Sequence, residues 1–365
     1  MGCCEATNVE LVGTVSESVP DLAWDWTTAE SAFDRRTALK GILTAAGVVW
    51  ISACGQNLGS AGTRLRLAFC GQLLCVIPYE VARARGHFTD QGFDIELIYT
   101  RGGNAAMQAL VGGAVDYAGT SFDVALQAAA NGADIRRVVS TGRVPLFALA
   151  VSPAQASSIT GVRDLEDRTV GISALGNADH ALLLYLLDQA GADAGRVRFA
   201  AIGTNLYDAL RIGQVDAAML QEPALSLTAE AGGRELINFM EIEETRMHLG
   251  GAYEFMGVSV RADERDQRLP EIRRLATALA AGLTDTRTLP LDEIIASLPE
   301  PLIAGADVSR LRQIIGRYRL SIYPESVSIE TAAAERVMRA QEIADLLQPG
   351  SVDLAILLDT GAAGV

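Results

Sequence analysis

The chain has 365 residues, 49% of them hydrophobic, which is enough for two domains with cores of their own. A net charge of −15 and a pI near 4.7 argue against a nucleic-acid partner, which asks for a basic face. The only lysine is Lys40, which excludes Schiff-base and P-loop lysine chemistry from the rest of the chain, and three scattered histidines with five cysteines in no ligand pattern argue against a metal site.

Residues 33–54 read FDRRTALKGILTAAGVVWISAC. The pair Arg35-Arg36 precedes an apolar run, 41–51, that is too short to span a bilayer. The run exits through Ser52-Ala53-Cys54. The segment resembles a twin-arginine export signal ending in a lipobox, which implies cleavage before Cys54 and lipidation of that cysteine. Two departures stand out: Ala38 replaces the usual phenylalanine, and an acidic extension precedes the arginines. Residues 1–53 are thus expected to be the signal with its extension, and 54–63 a lipidated, flexible tether. Cleavage removes seven acidic and three basic residues and leaves a net charge of −11. A lipid anchor gains about 0.8 kcal/mol per buried CH₂.

The body of the chain alternates strands and helices. Residues 64–69 (RLRLAF) and 93–99 (FDIELIY) alternate as strands, with a helix over 78–85 between them. Gly102-Gly103-Asn104 opens a helix, 115–118 is a short strand, and Ser121 caps a helix reaching Ala130. Further strands are expected at 137–140, 147–151, 169–172, 197–202, 235–240 and 255–260. Helices lie between several of them, at 181–190, after Gly203-Thr204-Asn205 and from Pro223. From Leu269 onward the pattern is helical, around 270–287, 291–297, 308–318 and 328–347. Such alternation predicts parallel sheets with right-handed crossovers.

One stretch occurs twice, as ALVGGAVDYA at 109–118 and ALRIGQVDAA at 209–218. Each copy reads as a helix end, a glycine exit (Gly113, Gly213) and a short buried strand whose start Asp116 or Asp216 braces. The repeat predicts two lobes built alike. Ligands of open α/β sheets lie outside the carboxyl ends of the strands, so the loops Thr120-Ser121 and Gln221-Glu222 should face one another across a cleft.

Five segments in order, ARARGHFTDQGFDIELI (82–98), GGNAAMQALVGGAVDYA (102–118), NGADIRRVV (131–139), DLEDRTVGIS (164–173) and ALRIGQVDAAMLQEPA (209–224), resemble the substrate-binding proteins of ABC importers of the nitrate/sulfonate/taurine type. The resemblance spans about residues 64–345. It implies an α/β fold of the periplasmic-binding-protein type II, two α/β lobes with a ligand cleft and two hinge crossovers. Lobe one would be 64–146 plus 256–345, lobe two 147–255, and 346–365 a C-terminal tail. It also implies capture without catalysis or cofactor of a small anionic solute, an alkanesulfonate, taurine or nitrate. The solute would pass to ABC permease and ATPase subunits from a monomeric, membrane-anchored, extracytoplasmic protein. Two alternatives stay open. One is a binding protein for a thiamine-type pyrimidine precursor. The other is a cofactor-precursor enzyme on the same fold, for which Cys70 and His180 are the only nucleophile–base pair in view.

The expected ligand contacts follow the strand ends. Gln72 would donate its amide, and Thr120 and Ser121 would present a helix N-terminus to an anionic oxygen. Ser173, Asn177 and His180 open the helix of lobe two, with His180 a donor to an oxyanion. Arg143, or Arg101, would meet the anion, and Glu222 a ligand amine. Gln221 stands where the family often carries an aromatic, which removes a stacking group. Whether Cys70 and Cys75 pair is open.

Overall fold

The computed structural model describes residues 62–303 and 306–364. The arginine pair, the acidic extension, Cys54 and all but the end of the expected tether lie outside the described residues. The first strand, β1 (Thr63–Cys70), buries Leu65, Leu67, Ala68 and Phe69 on both faces, as a central strand of a covered sheet must. It pairs in parallel with β2 (Phe93–Thr100) and β3 (Tyr117–Ser121). The sheet is completed by β4 (Ile135–Ser140) and a late strand, β10 (Met256–Arg261), in the order β2-β1-β3-β10-β4.

The second sheet repeats that plan. Its strands are β5 (Ala148–Val151), β6 (Thr169–Ile172), β7 (Arg198–Ala201), β8 (Ala217–Leu220) and β9 (Arg234–Asn238), in the order β7-β6-β8-β5-β9. β6 pairs in parallel with β7 and β8, as β1 does with β2 and β3. In each sheet one strand runs antiparallel to both neighbours, β10 between β3 and β4 and β5 between β8 and β9. Both of these reversed strands also shift register once, between Val258 and Ser259 and between Leu149 and Ala150. The chain therefore crosses from one lobe to the other after β4 and returns after β9. The two crossings are hydrogen-bonded to each other, Thr141 N to Met256 O at 2.7 Å and Phe255 N to Gly142 O at 3.0 Å.

The sequence repeat is a structural one. Gly113 and Gly213 both leave their helices with positive φ, +73° and +74°, where a side chain would be strained. Asp116 Oδ2 accepts from the Arg66 amide at 2.8 Å, and Asp216 Oδ2 accepts from the Thr169 amide at 2.8 Å. Each carboxylate ties the start of its own strand to the parallel neighbour where their pairing begins.

Two expectations shift in place. The first helix spans Leu73–Ala84 rather than starting at Pro78, which sits inside it. A proline in a helix leaves the carbonyl four residues back without its donor. That carbonyl is Leu74 O, and the Tyr323 hydroxyl supplies a hydrogen bond to it at 2.8 Å. The long helix Arg265–Thr288 crosses the first helix at Gly282, where a Cβ would stand 2.6 Å from Pro78 O. Of the segment 346–365, set apart as a tail, the described residues 346–364 pack onto the edge of β4 through apolar side chains. Leu357 and Ala362 are buried, Asp359 N donates to Arg137 O at 2.9 Å, and the Asp359 carboxylate pairs with Arg265.

Candidate functional site

The carboxyl ends of β1, β2 and β3 and of β6, β7 and β8 open onto one cleft of about 480 Å³. Cys70, Gln72, Arg101, Ser121 and Asp123 line it from the first lobe, and Ser173, Asn177, Asp179, Gln221 and Glu222 from the second. Phe147 and Phe255, one on each crossing, meet edge to face at 6.0 Å on its floor. The two loops that follow the repeats therefore do face a common space.

The wall of the second lobe is a closed hydrogen-bond circuit. Asp179 accepts from the Ser173 amide at 2.5 Å and from the Ser173 hydroxyl at 2.7 Å, and Asn177 Nδ2 donates to that same hydroxyl at 3.0 Å. Asn177 stands at the N-cap of the helix Ala178–Ala190, but its side chain serves Ser173 and not the helix. Glu222 is likewise engaged, accepting from the Ser226 amide at 3.1 Å and the Ser226 hydroxyl at 3.0 Å. Ser121 occupies the N-cap of the helix Phe122–Ala130 without a side-chain cap.

Three expected contacts fall elsewhere. Arg143 does not line the cleft: Nε donates to Ser321 O at 2.9 Å and Nη2 to Leu320 O at 2.7 Å. Those carbonyls end the helix Val308–Ile322, where a cation meets the negative end of the dipole. Thr120 is fully buried in β3 opposite Gly257, with its carbonyl accepting from Arg137 at 2.9 Å. His180 turns inward, accepting from the Gly176 amide at 3.1 Å through Nδ1 and packing edge-on against Phe199 at 4.9 Å. Burial lowers its pKa, so it is a neutral imidazole and no cation for an oxyanion.

Cys70 and Cys75 are both free and buried. The two thiols lie close enough to shift one another: Cys75 lowers the pKa of Cys70, and Cys70 together with burial raises that of Cys75. Among the described residues no group of three or more His, Cys, Asp or Glu converges to hold a metal ion. None of the described helices is long and apolar enough to cross a membrane.

The groups that sequence reasoning missed are two carboxyls, Asp123 and Asp179, each the second residue of its helix. Burial raises the pKa of both, that of Asp123 to about 6. An acid in a first helical turn reads in sequence as a complement to the dipole, so neither announced itself as a site residue. With Glu222 they give the lining three carboxyls against a single arginine, Arg101.

Two like-built lobes closing on a cleft at their strand ends define a chain with the periplasmic-binding-protein fold. It belongs to the NMT1/THI5-like family, whose model matches residues 75–291. Among solved structures it is similar to a protein of Bordetella bronchiseptica RB50 at 24% identity, with 83% of this chain and 96% of that one covered and a TM-score of 0.71. It is similar also to the periplasmic aliphatic sulphonate-binding protein SsuA of Escherichia coli, at 21% identity, 80% and 96% coverage and a TM-score of 0.64. A third is the periplasmic nitrate-binding protein NrtA of Synechocystis PCC 6803, at 11% identity, 82% and 87% coverage and a TM-score of 0.67. Among curated proteins none matches the chain.

Proposed function

We propose that the protein is an extracytoplasmic solute-binding protein that captures a small solute between its lobes and delivers it to an ABC importer, without catalysis. The observation that carries this is the single cleft lined from the strand ends of both sheets and floored by the two crossings. A solute touching both walls at once binds the closed form better than the open one, and only such differential binding drives closure. The likeness to sulphonate- and nitrate-binding proteins supports a solute of the alkanesulfonate, taurine or nitrate class. Within that class taurine suits the lining well, since Arg101 suits its sulfonate and the carboxyls its ammonium.

A pyrimidine precursor of the thiamine type is the second reading, favoured by the acidic lining and by the NMT1/THI5-like family. Against the enzyme reading, the pair weighed for it is divided: Cys70 lines the cleft, whereas His180 faces Phe199 and Gly176 and is not among the lining residues. In a thermal-shift screen of the purified protein, one class of small solute should raise the melting temperature through selective binding to the native state. Turnover of that solute in the absence of any transporter would sink the receptor reading. We further propose that Cys54 is the lipid anchor. Cys54→Ser should then release the protein from membranes, and undiminished retention counts against the anchor.

A further inference from the structure

Asp123 differs from every other carboxyl in the cleft. It is only 4% exposed, it lines the cleft, and its Oδ1 has no hydrogen-bond partner among the described residues. Asp179 is occupied by Ser173 and Glu222 by Ser226. The nearest buried cation is committed elsewhere: Arg137 donates to Glu254 and to the carbonyls of Thr120, Phe255 and Gly257. Buried acceptors are paired in nearly all native structures, and one left unpaired toward a cavity asks for a donor from outside the protein.

We propose that Asp123 selects the solute by accepting a hydrogen bond from a ligand nitrogen (an ammonium, an amidinium or an amino group on a ring) inside the cleft. This rests on the solute-binding reading above and narrows it. An ionised carboxylate is an acceptor only, so it rewards N–H donors and repels a bare anion. Asp179 stands on the opposite lobe, near enough that its charge raises the pKa of Asp123. A donor nitrogen lodged between the two carboxyls relieves that repulsion, and the relief is greatest when the lobes are closed. Taurine and aminated pyrimidines meet this demand. Nitrate and unsubstituted alkanesulfonates do not.

The test uses matched pairs of probes in isothermal titration of the purified protein and of Asp123→Asn: taurine against ethanesulfonate, and 4-aminopyrimidine against pyrimidine. In at least one pair the aminated member should bind the wild type at least tenfold more tightly, and the variant should lose most of that ratio. Equal binding within both pairs, or a ratio that survives in Asp123→Asn, overturns the assignment. A second measurement needs no ligand. If Oδ1 has no partner within the protein, Asp123→Asn melts higher than the wild type at pH 8; a lower melting temperature marks a structural carboxylate and overturns the assignment. Selective binding accompanied by turnover would sink only the receptor reading, whereas unselective binding without turnover would sink only this one.

Discussion

Asp123 carries its charge at a cost that depends on pH. Burial raises its carboxyl to about 6, against 3.8 for the free group; Asp179 adds to the rise, while Arg137 and the Ser121 hydroxyl oppose it. Tyr253 is close enough to feel the same charge. A carboxyl raised in the folded state contributes stability that is present below its unfolded pKa and lost as pH climbs through the folded one. Between pH 4 and pH 6.5 the wild type should therefore lose about 2 kcal/mol relative to Asp123→Asn. Urea denaturation of both proteins across that range checks it, and a difference that does not grow with pH contradicts the raised value. Tyr323 makes a second residue-scale case. Its hydroxyl serves the Leu74 carbonyl, whose helical donor Pro78 removes. Tyr323→Phe should cost about 1–3 kcal/mol, the penalty of stranding a buried acceptor. In a Pro78→Ala background the helix regains its own N–H for that carbonyl, so the same substitution should cost clearly less. A double-mutant cycle reads the difference directly.

At the scale of the element, the two aspartates of the repeat do the same work with different support. Asp216 accepts the Thr169 amide alone, whereas Asp116 accepts the Arg66 amide and also pairs with Arg66 and Arg268. Although burial opposes it, the Arg66 amide and the two guanidinium groups hold the Asp116 carboxyl below its usual range. Asp116→Ala should therefore destabilise the protein more than Asp216→Ala, which should cost about 1–3 kcal/mol as the loss of a half-buried charged acceptor. Chemical denaturation of the two variants checks the order. The repeat was legible in sequence because helix end, glycine and buried strand each leave a local mark on the residue pattern. So did β2, whose alternation in FDIELIY matches the strand Phe93–Thr100 to within a residue. What faced the cleft was less legible. Gln72, Ser121, Ser173, Asn177 and Glu222 line it because they follow strand ends, a rule of topology. Arg143 also follows a strand, yet it reaches the end of the helix Val308–Ile322, a contact 178 residues away in the chain. No local pattern encodes such a contact. Pro78 read as a first helical residue because nothing in its neighbourhood revealed that Tyr323 would satisfy Leu74.

For the whole molecule the question is what holds the lobes together when the cleft is empty. Gln127, on the helix Phe122–Ala130 of the first lobe, donates to Gly176 O of the second at 2.9 Å and to Gln341 Oε1 at 3.2 Å. Gly176 lies one residue before the N-cap of Ala178–Ala190, the helix that carries Asp179. The bond therefore joins the wall bearing Asp123 to the wall bearing Asp179 at the edge of the cleft. The crossings, by contrast, join through backbone pairs and the Phe147–Phe255 contact, which a rotation about the floor need not break. Gln127→Ala should remove an inter-lobe contact without touching the ligand-facing side chains. A single neutral hydrogen bond contributes about 0.5–1.5 kcal/mol, so the closed population should fall roughly two- to twelvefold relative to the open one. Small-angle X-ray scattering without solute should show a larger radius of gyration for the variant, and any solute found by the thermal screen should bind it more weakly by a similar factor. Saturating solute should bring the two radii back together, because a ligand gripping both walls restores closure. If the variant scatters like the wild type and binds equally well, Gln127 is a passenger and the lobes are held by the crossings together with the ion pairs of Arg310 and Arg317 to Glu230, Glu235 and Glu241.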